Sequence, residues 1–106
     1  MIPIEEFKKL EIVIAQIKDV QEHPNADRLY VIKVDTGTEE KQLVAGIRKS
    51  YTKEQLLGRR VVVIKNLQPA VIRGVESQGM ILAASDEEGI SILQLDRDVK
   101  LGSIVK

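Results

Sequence analysis

The run from Ile12 to Val20 constrains this chain more than any other stretch. Val13, Ala15 and Ile17 alternate with the period of a half-buried strand, and Val20 then falls out of phase by one residue. A single change of phase inside a strand marks a bulge, which bends the strand and increases its twist. A long, bent first strand is what the closing of a small barrel requires.

The remaining signals predict the other parts of such a barrel. Leu29 to Val34 reads as a second strand, Gln42 to Ile47 as a third, Arg60 to Asn66 as a fourth and Gly79 to Ala84 as a fifth, with a further strand from Ile90 to Leu95. Turns fall at residues 22–28, where Pro24, Asn25 and Asp27 cluster, at Thr36 to Glu40 around Gly37, and at Asp86 to Gly89. Thr52 and Gln55 have the spacing of a capping box, Leu56 and Leu57 supply an apolar side and Gly58 a stop, so a short helix is expected between strands three and four. A second short helix is expected from Pro3 to Lys9. Glu5 and Glu6 lie at its positive end, Lys8 and Lys9 at its negative end, and Ile4 and Phe7 share the face that would make it a lid. The fold class is therefore all-β: an OB-fold, a five-stranded Greek-key barrel filling one domain over residues 1–106. The strand spacing alone also permits an SH3-like barrel.

Function is sought first in the stretch Arg59 to Ser85. Its two apolar runs, Val61 to Ile64 and Met80 to Ala84, are joined by a long connector holding Asn66, Pro69, Arg73, Gly74 and Ser77. A simple hairpin would need only a two-residue turn, so this connector is expected to be a functional surface, with a wide hairpin as the plainer reading. Charge points the same way. The chain is neutral overall, yet Gly46 to Gly74 holds seven basic residues and one acidic, while the remainder holds nine basic and fifteen acidic. Such separation is expected to give a face that attracts phosphate.

Other classes are disfavoured. No apolar run approaches the ~18 residues of a membrane span, and the amino terminus lacks the apolar core of a signal peptide, so a cytoplasmic location is expected. Without cysteine there is no disulfide or thiolate chemistry. The single histidine, His23, precedes Pro24 and is expected to stabilise a turn. With no second histidine for zinc, no GxxxxGK and no GxSxG, no enzyme activity, metal or cofactor is expected.

Three ordered motifs, HPNADRLYVIKVDTG at 23–37, LVAGIRKSY at 43–51 and NLQPAVIRGVESQGMILAAS at 66–85, resemble the tRNA-binding domain. That domain occurs at the carboxyl end of many methionyl-tRNA synthetases, in free-standing dimeric tRNA-binding proteins and in endothelial monocyte-activating polypeptide II. The resemblance covers about Phe7 to Val105. It implies an OB-fold that holds tRNA by shape and backbone contacts, acts as a free-standing protein or a methionyl-tRNA synthetase β-subunit, and pairs as a homodimer. A dimer also accords with the small core of one barrel and with Val99, Leu101, Ile104 and Val105, apolar groups near the carboxyl terminus that need cover. An alternative is a dimeric peptide-binding export chaperone of the CsaA type, although the HPNADRLY turn and the SQGM segment favour tRNA.

Carried over by position, the family's binding residues fall on Lys33, Asn66, Arg73, Ser77 and Met80. Lys65, Arg48 and Lys49 are added on charge alone. Arg73 offers a fork suited to phosphate, and Gly74 beside it would let a backbone approach. The sequence departs from the family at Val13, Gln68 and Val71, where relatives are often basic, and each replacement removes a possible phosphate contact. Only Phe7, Tyr30 and Tyr51 are aromatic, too few for a binder of unstacked single strands but enough for one of structured RNA.

Overall fold

The computed structural model describes residues 1–106, and the bulge falls between Ile17 and Asp19. It lets one strand serve two neighbours. The second half of β1 (Ile12–Glu22) pairs antiparallel with β2 (Tyr30–Asp35), which pairs in turn with β3 (Glu40–Ala45). The first half of β1 pairs with β4 (Arg60–Ile64). Beyond β4 the chain forms a separate hairpin, β5 (Ala70–Ile72) and β6 (Val75–Ser77), before β7 (Met80–Ile81) returns to the end of β4. A last hairpin joins β8 (Ala83–Asp86) to β9 (Gly89–Ile92). The predicted fifth strand is thus two strands broken at Leu82, because β7 pairs with the barrel and β8 with its own hairpin partner.

The sheet order β3-β2-β1-β4-β7 curls into a nearly closed antiparallel barrel of the OB type. Closure between its two edges relies largely on side chains. Gln78 N–H donates to the Gln42 carbonyl at 2.8 Å, while Gln42 N–H donates to Gln78 Oε1 at 2.9 Å and Val44 N–H to Ser77 Oγ at 3.0 Å. Gly79 permits the close fit at this seam, since a Cβ there would lie 2.6 Å from the Ile64 carbonyl oxygen of β4 and 3.1 Å from the Leu43 side chain of β3.

The interior follows the period of two. Tyr30, Ile32 and Val34 of β2 are buried while Lys33 faces out, and Leu56 from α2 (Lys53–Leu56) joins the same core. The expected capping box is present in both directions: Gln55 N–H donates to Thr52 Oγ1, and Thr52 N–H to Gln55 Oε1. Where β1 and β4 pair they are buried on both faces, which explains their unbroken apolar runs. Ile12, Ile14, Val62 and Ile64 form a second cluster, and Phe7, at the end of α1 (Ile4–Phe7), packs on it. Ile4 does not share that cover and is 57% exposed. The carboxyl-terminal residues lie beside the first half of β1, with Ile14 N–H donating to Ser103 O and Val105 N–H to Ile12 O. Val99, Leu101 and Val105 therefore find cover within their own chain, and only Ile104 of that group faces out. No helix is long and apolar enough to cross a membrane.

Candidate nucleic-acid interface

The connector is not an extended loop. It is the β5–β6 hairpin, closed by Arg73 and Gly74 with φ of 51° and 91°. Positive φ at both central residues is the I′ geometry that suits the twist of a two-residue hairpin and favours Asn-Gly. The glycine answers this requirement without strain, so Gly74 is needed for the turn itself. Arg73 has no such freedom, and holding it there costs about 1 to 3 kcal/mol.

Strands of three residues cannot hold themselves in water, so their neighbours matter. His23, buried in the turn between β1 and β2, has Nδ1 accepting from Asn25 N–H at 3.0 Å and Nε2 opposite the Ile72 carbonyl at 2.9 Å. The Arg73 guanidinium donates to Asn25 O at 3.0 Å, and Asn25 Nδ2 donates back to Arg73 O at 3.3 Å. Across the barrel edge, Gln42 Nε2 donates to Glu76 O at 2.9 Å.

The predicted residues divide into three groups. Arg73 is exposed at the hairpin tip with most of its donors unused. Lys33 is exposed on β2 without an ion pair, opposite Gln42 in register and hence next to the residue that holds the hairpin; β2 is an interior strand rather than an edge. Met80 is 45% exposed, and Lys49 is exposed and unpaired. A second group is partly engaged: Arg48 pairs with Glu22 at 2.6 Å and donates to Ala26 O, and Lys65 lies 3.9 Å from Glu11. The third group is structural in its contacts. Asn66 spends both ends of its amide, accepting from Glu11 N–H at 2.8 Å and donating to Lys9 O at 2.7 Å. Ser77 is 5% exposed, and its hydroxyl bridges Val44 N–H to the Gly79 carbonyl.

The positive face expected from Gly46 to Gly74 is also divided. Arg60 donates to the Val99 carbonyl, and Arg59 lies over the Tyr51 ring at 5.7 Å. Cations gather instead around the turn at 23–28. Arg73 and Arg28 line one depression of about 420 Å³ there, with Asn25, Asp27 and Leu29, while Arg48 reaches the same turn through Ala26. Arg28 escaped the sequence reading because it lies outside the basic segment; its place in the HPNADR motif was the available signal. Of the departures, Val13 is buried, whereas Gln68 and Val71 are exposed, Val71 to 72%.

Aromatic surface is scarce: Tyr30 is buried, Phe7 packs on the second cluster, and the half-buried Tyr51 has Arg59 over its ring and Ile92 N–H donating to its hydroxyl at 3.1 Å. That bond, with smaller contributions from Ser91 and Arg59, lowers the Tyr51 pKa against the opposing effect of burial. Beside the barrel seam, Val44, Ile47, Met80, Ile81, Leu82 and Ala83 line much of an open apolar groove of about 410 Å³.

Residues 12–104 match the family described as "Putative tRNA binding domain". The methionine–tRNA ligase of Thermococcus onnurineus is 53% identical over 105 residues, which are 99% of this chain and 14% of the ligase. The chain thus spans about one seventh of the curated relatives it matches. A methionyl-tRNA-synthetase-related protein from Pyrococcus horikoshii superposes with a TM-score of 0.92 at 30% identity, covering 100% of this chain and 98% of that one. The CsaA chaperone of Picrophilus torridus superposes with a TM-score of 0.92 at 25% identity, covering 100% of both chains.

Proposed function

The chain belongs to the tRNA-binding domain family, and from that premise we propose that it is a non-catalytic tRNA-binding module that grips folded tRNA through phosphates and riboses. The observation that carries the reading is the β5–β6 hairpin, set outside the barrel with Arg73 exposed at its tip and Lys33 beyond Gln42 on the adjoining face. Arg28, Arg48 and Lys49 extend the basic surface around the 23–28 turn. Arginine forks and lysines suit phosphate oxygens, and shape recognition of this kind needs no rings for stacking. Met80 offers an apolar contact to a ribose or base. Asn66 and Ser77 serve by holding the ends of the connector.

In this reading the module works in the cytoplasm as a homodimer, as a methionyl-tRNA synthetase β-subunit or a related free-standing protein supplying extra affinity for tRNA. Ile104, 73% exposed, and the amino-terminal Ile2 and Ile4 are the apolar groups a second copy would cover. Sedimentation at micromolar concentration should give about twice the 11.9 kDa chain mass. A second reading, a peptide-binding chaperone, is favoured by the apolar groove beside β3 and by the likeness to CsaA. Filter binding decides between them: retention of total tRNA with no competition from an unfolded polypeptide supports the tRNA reading, and the reverse pattern overturns it.

A further inference from the structure

We propose that His23 is a positioning residue for RNA binding: its neutral imidazole, with the proton on Nε2, latches the β5–β6 hairpin to the β1–β2 turn and so fixes how Arg73 is presented. The inference rests on the hairpin being part of the RNA surface.

The latch is visible in the hydrogen bonds. His23 is 4% exposed, and both ring nitrogens have partners. Asn25 N–H donates to Nδ1, which must therefore be the acceptor nitrogen, so the proton sits on Nε2 and is donated to the Ile72 carbonyl. Ile72 is the residue before the turn, where Arg73 is held at positive φ. Asn25, oriented through that same backbone bond, exchanges two further bonds with Arg73. A single imidazole thus fixes the turn that holds the arginine and the carbonyl just before it. Neither three-residue strand lies in the barrel sheet; Gln42 and Ser77 anchor the base of β6 to β3, and the bonds that reach the tip come from His23 and Asn25. Preorganising an arginine in this way saves ordering cost on binding, and freeing it is expected to weaken tRNA affinity roughly 2- to 10-fold.

The test uses the full chain and total tRNA. In the wild type, long-range proton–nitrogen correlation spectra should show the Nε2-protonated tautomer. His23→Ala should speed amide exchange in residues 70–77 while leaving the barrel strands protected, lower tRNA affinity, and flatten the salt dependence in the same direction as is expected of Arg73→Ala. In the Arg73→Ala background, His23→Ala should cost no further affinity, because the latch acts through that arginine. His23→Gln, which keeps an amide donor able to reach the Ile72 carbonyl, should recover some of the loss and stands in should the alanine variant unfold. Full tRNA affinity in His23→Ala, with Arg73→Ala still weakened, would overturn the latch. Full affinity in Arg73→Ala would instead overturn the hairpin as an RNA surface. An equal loss from His23→Ala in both backgrounds would make His23 structural only.

Discussion

Replacing Val71 with lysine would set a cation on the exposed side of the hairpin, and its consequences can be worked from the structure. Val71 is 72% exposed and faces Glu76 across the β5–β6 pair. Since only about a quarter of the residue is covered, losing its apolar contact costs roughly 0.4 to 0.8 kcal/mol. A cross-strand ion pair between the new lysine and Glu76 returns about 0.2 to 1 kcal/mol, so the melting midpoint should move by no more than a few degrees. Binding should respond differently. One further phosphate contact steepens the plot of log affinity against log salt by about 0.7 to 0.9, which over a fourfold change in salt amounts to a roughly threefold larger loss than the wild type shows. Filter binding between about 50 and 200 mM salt reads this directly. Glu76 will compete with phosphate for the new lysine, so Val71→Lys combined with Glu76→Gln should give the fuller effect. A variant that folds normally yet matches the wild type in affinity and slope, with or without Glu76, would remove Val71 from the RNA face and refute the placement of the hairpin there.

Three other outcomes follow from the same structure. Gly79→Ala should lower stability by about 1 to 3 kcal/mol, seen as a reduced denaturant midpoint, because its Cβ meets the Ile64 carbonyl and the Leu43 side chain. Ser77→Ala strands Val44 N–H and the Gly79 carbonyl at the barrel edge, and the same measurement should show a loss of about 1 to 3 kcal/mol. Tyr51 should ionise at lower pH than free tyrosine in an ultraviolet titration, since Ile92 N–H favours the phenolate; the linked stability is present above pH ~10 and lost as pH falls through the lowered value.

How much of this was legible in the sequence depends on how local each cause is. The Ile17–Asp19 bulge and the Thr52–Gln55 capping box are set by a few adjacent residues and were readable directly. The break at Leu82 was not, because a continuous apolar run carries no mark of where one strand changes partner. The β5–β6 hairpin was hidden by its chemistry: its turn is Arg-Gly rather than Asn-Gly, and its strands are three residues long. Asn66 and Ser77 illustrate a general ambiguity, since a polar residue written in a connector looks the same whether it awaits a ligand or satisfies a backbone group 57 or 33 residues away. Arg28 joins Arg48 and Arg73 around one turn only through the folded chain, so the charge count over Gly46 to Gly74 collected the latter two and missed the first.

The seam between β3 and the residues leading into β7 bears on how the molecule gives way. A backbone ladder fails cooperatively along a strand, whereas this edge is closed by the Gln42, Ser77 and Gln78 side chains and one main-chain bond. These bonds can break singly. This edge is therefore the part of the barrel whose bonds are lost one side chain at a time, while β7 stays on β4 through its own backbone pairing. In hydrogen exchange the Gln42 and Val44 amides, which rest on side-chain acceptors, should therefore exchange ahead of those in the β2–β1–β4 sheet.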